Sequence, residues 1–246
     1  MFRYQILIEY SGTNFRGWQV QKKSKTIQGL IQNKISKIIK EKIKLLGSGR
    51  TDSGVHAIEQ SAHFDCKTKI RNKIKFLRSI NYFLNKDDIV ILNLIQKDNK
   101  FHSRFSAKMR IYKYVIINRF SNTVLYRNRG WHITKTLNVD LMKKGAKKLI
   151  GTKDFSTYRS SSCHAKSPIK TLKLVKIRSI KDKIEIEFRS KSFLQQQVRS
   201  MVGCLKYLGE NKWSLKRFET VMKSKKRTLC APPAPPEGLF LFKIIY

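Results

Sequence analysis

A short glycine-rich segment contains the residues of this chain that are best suited to chemistry. Residues 47–57 read GSGRTDSGVHA and place Arg50 and Asp52 among three glycines. Glycines allow a tight turn and let a ligand approach the backbone closely. Arg50 offers a planar, always charged group for phosphate or a base, and nearby cations should keep Asp52 ionised. Asp52 is therefore a candidate nucleophile or base.

Two other interpretations of this segment stay open on these residues alone. In the first, the loop is structural: Asp52 caps a backbone amide and pairs with Arg50. In the second, the glycines cradle a phosphate, although neither GxxxxGK[ST] nor GxGxxG occurs in the chain.

The charge of the chain indicates its class of partner. The 246 residues include 53 Lys and Arg against 16 Asp and Glu, a formal net charge of +37. Such an excess attracts polyanions, and nucleic acid is the default partner. Codon bias can inflate the count, because Lys, Ile and Asn are all abundant here. The charge therefore favours nucleic acid without saying which kind.

Several classes of protein are excluded by what the sequence lacks. No stretch reaches the roughly 18 consecutive apolar residues of a membrane span, and the first residues do not resemble a signal peptide. The four cysteines are far apart without a CxxC pair, which argues against a disulfide framework or a zinc site and fits a reducing cytoplasm. Three acids, Asp52, Glu59 and Asp65, are too few and wrongly spaced for a metal-dependent nuclease.

Hydrophobic periodicity predicts the elements that must position the glycine-rich segment. Apolar residues alternate in the first strand and recur at helical spacing elsewhere. The predicted strands cover 2–10, 60–65, 88–95, 111–117, 172–177, 183–188 and 239–246, and the predicted helices cover 26–43, 73–84, 139–150, 193–209 and a shorter stretch after Ser214. Because strands and helices mix without strict βαβ alternation, the pattern favours an α+β fold.

Seven blocks of sequence, in this order, resemble the TruA family of tRNA pseudouridine synthases. They are 9–21, 26–29, 49–57, 101–114, 154–159, 193–203 and 231–241, so the resemblance runs along the whole chain. GRTDxGVHA is a highly specific signature. The helical block departs locally from the family: Gln196 and Gln197 replace a common His-Met pair, and Ser200 stands where Asn is common. Arg199 is retained.

The resemblance implies a fold and a set of partners. The fold is α+β, with two ferredoxin-like (RRM-like) halves that share a continuous, mostly antiparallel sheet, helices packed on one side and an active-site cleft between the halves. Residues 1–100 would form the half that carries the GRTD loop, and residues 101–246 the half that completes the cleft. The family also implies a cytoplasmic homodimer that binds tRNA and needs no metal and no organic cofactor.

The resemblance further implies a reaction and the residues that perform it. The family isomerises uridine to pseudouridine at positions 38, 39 and 40 of the tRNA anticodon stem-loop, by detaching the base from C1′, turning it and rejoining it through C5. The matching residues are Asp52 as nucleophile, Arg50 beside the flipped base, Tyr112 stacked on the uracil, Arg199 paired with the Asp, and Leu239 as an apolar contact under the uracil.

Residue chemistry alone leaves alternatives open at each of these positions. A carboxylate can attack C1′, attack C6 or remove a sugar proton on a glycal route. Tyr112 and Leu239 would also suit a strand core, and Arg199 a solvated helix surface. Residues 101–105 should help position the substrate loop, with Arg104 on a phosphate. A tRNA-binding protein without chemistry would lack the candidate residues, and a basic structural protein would carry a long basic tail, which this chain does not have.

Overall fold

The computed structural model describes every residue from Met1 to Tyr246. The chain divides into two compact units, of which the first comprises Met1–Lys108 and Phe240–Tyr246 and the second Met109–Leu239. Ten strands, paired mostly antiparallel, and five α-helices are distributed over these units, so the predicted α+β class is confirmed. A division of the domains at residue 100 stays a prediction.

The elements follow one another along the chain in this order: β1 (Phe2–Tyr10), α1 (Ile27–Ile39), β2 (Leu46–Gly47), β3 (His56–Cys66), α2 (Lys73–Leu84), β4 (Ile89–Lys97), β5 (Met109–Asn118), β6 (Trp131–Ile133), α3 (Val139–Leu149), β7 (Gly151–Asp154), β8 (Ile169–Ile180), β9 (Lys183–Ser190), α4 (Gln197–Gly209), α5 (Leu215–Lys223) and β10 (Leu239–Ile245).

The first unit is organised around β1. This strand pairs antiparallel with both β3 and β4, while β2 joins β3 antiparallel and β10 joins it in parallel. The alternation predicted for residues 2–10 is realised, because Tyr4, Ile6, Ile8 and Tyr10 are all buried. Helix α2 packs on β4 and on α1, which covers the core of this unit.

The second unit repeats the mixed arrangement with its own strands. Strand β9 pairs antiparallel with β5 and β8, β7 continues antiparallel from β8, and β6 lies parallel to β5. Helix α3 packs on β8 and contacts α4 and α5. The apolar stripe predicted for α4 is buried throughout, since Leu194, Val198, Met201, Leu205 and Leu208 are at most 4% exposed.

Two helix boundaries differ from the sequence-based expectations for a clear physical reason. Helix α1 ends at Ile39 rather than near residue 43, because Lys40 adopts a left-handed conformation with φ of 56°. Helix α4 begins at Gln197 rather than at residue 193, because Gln196 has φ of 61° and the Gln197 side chain accepts a hydrogen bond from the Leu194 amide. In both cases one left-handed residue interrupts an apolar pattern that continues through it.

A buried polar cluster fixes residues 101–106 to the first unit. His63 of β3 is 1% exposed, and its Nδ1 lies 2.8 Å from the Ser103 hydroxyl. Ser103 Oγ in turn donates to the Leu46 carbonyl at 2.6 Å. The C-terminal Tyr246 adds a hydrogen bond from its hydroxyl to the Ser103 carbonyl. Burial, reinforced by the neighbouring His102, lowers the pKa of His63 to about 4.

We expect His63 to make the protein sensitive to mild acid. The unfolded chain takes up a proton at His63 near pH 6.5, whereas the folded protein resists it until about pH 4. The unfolded state therefore binds more protons in this window, so stability is complete above it and is lost as the pH falls, by at most about 1.4 kcal/mol per pH unit for one proton. Urea unfolding of wild type and His63→Asn across the window measures this, and equal pH slopes would contradict it.

Candidate active site

The GRTD loop lies between β2 and β3, and a buried amide of β3 holds its first residues. Gln60 is fully buried beside Ile8 of β1. Its Oε1 accepts a hydrogen bond from Ser48 Oγ at 2.7 Å, and its Nε2 donates to the Gly49 carbonyl at 2.9 Å. The Ser48 amide also donates to the Ser61 carbonyl. Both the backbone and a side chain of β3 therefore fix the entry to the loop.

The middle of the loop is fixed by the segment that follows β1. The Tyr10 hydroxyl lies 2.8 Å from Thr51 Oγ1, and the Trp18 amide donates to the Thr51 carbonyl at 3.1 Å. Gly17 makes this approach possible: its φ is +85°, and a Cβ there would lie 2.8 Å from the Thr51 carbonyl oxygen. A side chain at Gly17 would thus displace the residue that precedes Asp52.

These anchors leave two charged side chains on an immobilised backbone. Asp52 is half-buried and Arg50 is exposed, while Thr51 between them is 6% exposed. After Asp52 the chain turns back at once, since the Val55 amide donates to the Asp52 carbonyl and Ser53 Oγ donates to the Phe15 carbonyl. The first unit therefore presents a carboxylate and a guanidinium two residues apart on a loop with little freedom to move.

In the second unit, β5 carries Tyr112 and Tyr114, which strand periodicity alone places on the same face. Tyr114 is fully buried, its hydroxyl donates to the Pro235 carbonyl at 2.9 Å, and burial raises its pKa well above the usual value. Tyr112 is 8% exposed and meets the Phe193 ring edge-on, with 5.2 Å between centroids. Tyr114 is thus a core residue, whereas Tyr112 lies in a small aromatic pair at a less buried point of the strand.

Arg199 and Leu239 also belong to the second unit. Arg199 lies in the first turn of α4, where it is half-buried and its Nε donates to the Ala234 carbonyl at 2.7 Å. The Ala234 amide returns a hydrogen bond to the Arg199 carbonyl at 3.0 Å. Leu239 opens β10 and is 6% exposed. The proline-rich segment 231–236 therefore packs against α4 and orients the Arg199 side chain.

Two other features of the structure bear on function. No group of three or more His, Cys, Asp or Glu side chains is arranged to hold a metal ion. No helix combines the length and the apolar character needed to cross a membrane.

Comparison with known proteins decides the family. The sequence model of the family described as tRNA pseudouridine synthase matches residues 6–106 and 146–246. Relatives match over the full length of both chains: tRNA pseudouridine synthase A of Pelagibacter ubique at 67% identity, and the proteins of the same name from Thermoanaerobacter sp. and Parvibaculum lavamentivorans at 42% and 39%.

The chain belongs to the TruA family of tRNA pseudouridine synthases. It is accordingly an isomerase that modifies tRNA. The resemblance inferred from the seven sequence blocks is confirmed by these matches. The roles of individual residues in this TruA-type chain remain predictions.

Sequence reasoning missed the residues that hold the TruA loop in place. Gln60 was not singled out, although it occupies a polar position on the otherwise apolar face that Ala62 and Phe64 share. The sequence pattern placed Tyr10 only on one face of the first predicted strand. The available signal was a lone amide inside a buried strand, since such a group must find hydrogen-bond partners. Its partners lie 11 and 12 residues away, in the loop.

We expect Gln60→Leu to slow catalysis more than it weakens tRNA binding. The substitution removes the two hydrogen bonds that hold Ser48 and Gly49, so the loop that carries Asp52 shifts. A displacement of about 1 Å at a reacting group lowers the rate on the order of a hundredfold. Affinity for tRNA depends mainly on phosphate contacts distributed over the surface. Single-turnover rates and the Kd for tRNA measure the two effects separately.

Gln5→Leu is the matched control for this experiment. Gln5 is 3% exposed on β1, and its Nε2 donates to Ser61 Oγ rather than to the loop. Both substitutions remove a buried amide and should destabilise the fold to a similar extent, by about 1–3 kcal/mol. Equal single-turnover rates for the two variants would show that Gln60 contributes only to stability.

Proposed function

We propose that this chain converts uridine to pseudouridine at positions 38, 39 and 40 of the tRNA anticodon stem-loop, with Asp52 as the nucleophile. The observation that carries the proposal is the immobilised GRTD loop, in which hydrogen bonds fix the backbone on both sides of a half-buried carboxylate. Preorganisation of this kind lowers the barrier because the reacting group needs no search for its position.

The Asp52 carboxylate serves the reaction at the glycosidic bond. As the bond between N1 and C1′ breaks, the electron pair leaves with the uracil, and the carboxylate stabilises or traps the electron-poor centre that remains. The base then turns, C5 bonds to C1′, and the C5 proton is lost. On the alternative routes the same carboxylate adds to C6 of the base, or removes a sugar proton to form a glycal, and all three routes end with the loss of the C5 proton.

The other candidate residues divide the remaining tasks. Arg50, exposed on the same loop, assists base flipping by filling the vacated stack or holding a phosphate. Tyr112 stacks on the uracil with its ring, and Leu239 provides an apolar contact under the base. Arg199, oriented by Ala234, pairs with Asp52 and orients its carboxylate.

Binding of the tRNA body relies on the basic surface of the chain. Residues 101–106 offer one contact of suitable chemistry: Phe105 is 73% exposed, and the Arg104 guanidinium lies 5.6 Å from the centre of its ring. An exposed aromatic ring beside a cation suits both base stacking and phosphate contact. The buried link from His63 to Ser103 keeps this contact in place. The proposal includes a cytoplasmic homodimer, as the family resemblance implies.

We expect Asp52→Asn to abolish turnover while tRNA binding stays close to that of wild type. The amide cannot act as nucleophile or base, whereas the phosphate contacts are unchanged. Release of tritium from tRNA with [5-³H]uridine measures turnover, because the label leaves only when C5 is substituted. Carbodiimide mapping of the product tests positions 38 to 40.

Asp182→Asn is the control for the loss of a carboxylate. Asp182 forms an exposed ion pair with Arg119 at 2.8 Å, and such pairs contribute little to stability. This variant should release tritium at the wild-type rate. A residual rate for Asp52→Asn within about tenfold of wild type would refute the role of Asp52 as nucleophile.

We expect Tyr112→Phe and Tyr114→Phe to have different effects, because the two hydroxyls have different surroundings. If the Tyr112 hydroxyl relays the C5 proton, Tyr112→Phe keeps the stacking ring and tRNA binding but loses turnover. Tyr114→Phe loses only the hydrogen bond to Pro235, at a cost of roughly 1 kcal/mol in stability.

Single-turnover conversion of an anticodon stem-loop by the two variants compares these roles. If Tyr114→Phe is the slower enzyme, the role at the uracil has been assigned to the wrong tyrosine. Wild-type rates for both would assign the proton transfer to water or to another group.

A further inference from the structure

Two cysteines of the second unit lie in contact, although 26 positions separate them in the sequence. Cys204 is fully buried in α4, and Cys230 is partly exposed directly after the single helical turn Arg227–Leu229. Their sulfur atoms are 3.5 Å apart, and both are free thiols. Neither sulfur has a role in the proposed isomerisation.

An arginine distinguishes the chemistry of the two thiols. Arg227 donates from Nη1 to Ser200 Oγ at 3.1 Å, one turn before Cys204, and its carbonyl accepts the Cys230 amide. The hydrogen bond from the Cys204 thiol lowers the pKa of Cys230, and the Arg227 guanidinium acts in the same direction. The same hydrogen bond, together with burial, raises the pKa of Cys204. Cys230 is therefore both the less buried residue and the one whose thiol more readily becomes a thiolate.

The backbone holds the two elements in close contact. Gly203 lets α4 lie directly against the following segment, because a Cβ there would come 2.0 Å from the Pro232 carbonyl oxygen. A disulfide requires the sulfurs to move closer by about 1.5 Å. Rotation of the Cys204 side chain and a shift of the segment around Cys230 together supply a movement of this size, while the helix stays in place.

We propose that Cys230 is a site of reversible oxidation by hydroperoxides and that Cys204 is the thiol that resolves it. The Cys230 thiolate attacks the outer peroxide oxygen, the O–O bond breaks, and the alcohol or water leaves with a proton. This step oxidises Cys230 to a sulfenic acid. The Cys204 sulfur then attacks the Cys230 sulfur, and the hydroxyl group leaves as water with the Cys204 proton. In total, two thiols lose two electrons and two protons, and one hydroperoxide is reduced.

The disulfide would act on the segment that orients Arg199. Cys230 lies four residues before Ala234, which exchanges two hydrogen bonds with Arg199. Drawing Cys230 toward α4 moves this segment and with it the Arg199 side chain. We therefore expect oxidation to lower turnover while tRNA binding is retained. This consequence rests on the proposed role of Arg199, whereas the thiol chemistry does not.

Mass spectrometry of the wild-type protein tests the thiol chemistry without any substitution. After treatment with hydrogen peroxide, the intact protein should lose the mass of two hydrogen atoms, and digestion should yield a peptide that links Cys204 to Cys230. Dithiothreitol should restore the original mass. Cys204→Ser should instead accumulate a sulfenic acid at Cys230 that reacts with dimedone.

Matched variants of the other cysteines complete this test. Cys66→Ser and Cys163→Ser should form the same linked peptide as wild type. Dimedone labelling of Cys66 or Cys163 before Cys230, or oxidation of Cys230 to a sulfinic acid in place of the link, would overturn the proposal.

Tritium release before and after oxidation tests the consequence for catalysis. The oxidised wild type should turn over at least about tenfold more slowly and recover with dithiothreitol, and Cys204→Ser should resist the inhibition until higher peroxide concentrations. Full turnover of protein in which every molecule carries the Cys204–Cys230 disulfide would overturn the proposed effect on Arg199. Arg199→Ala, assayed in parallel, distinguishes this result from a failure of the proposed function. If that variant is fully active, the assigned role of Arg199 is wrong. The peptide that links Cys204 to Cys230 decides the thiol chemistry in either case.

Discussion

The fixed backbone of the GRTD loop is the constraint on which the proposed chemistry of the first unit depends. A carboxylate can act on a glycosidic bond only if it is held where the bond will break, and a glycine-rich loop by itself is flexible. The Gln60 amide and the Tyr10 hydroxyl remove this flexibility with hydrogen bonds to Ser48, Gly49 and Thr51, which precede Asp52. Both groups come from strands of the sheet, so the rigidity of the sheet is transmitted to the loop.

In the second unit, a proline-rich segment holds the side chain of Arg199 in one direction. Arg199 has a long side chain that loses much conformational freedom when it is held in one direction. The proline-rich segment 231–236 reduces this cost, because its own backbone is restricted and offers the Ala234 carbonyl to the guanidinium. The neighbouring Pro235 carbonyl accepts the Tyr114 hydroxyl, which ties the segment to β5 as well as to α4.

Contact between Cys204 and Cys230 arises from the same close packing. The absence of a side chain at Gly203 brings the segment against α4, and the two sulfurs meet as a result. A segment that orients a candidate active-site residue thus also carries a thiol beside a guanidinium. If Arg199 has the proposed role, oxidation of Cys230 would affect catalysis, whereas Cys66 of β3 lies in a strand of the first unit.

The sequence by itself determined the family and most elements, because both depend on local patterns. GRTDSGVHA is contiguous, the alternation of residues 2–10 predicted β1, and helical spacing predicted α2 at 73–84 with the boundaries that the structure shows. Tertiary structure decided which polar groups hold the loop, where α4 begins and which cysteines meet. Gln60, the left-handed Gln196 and the contact of Cys204 with Cys230 depend on partners or backbone conformations that the local pattern does not encode, because burial and hydrogen bonding are settled only when distant segments pack together.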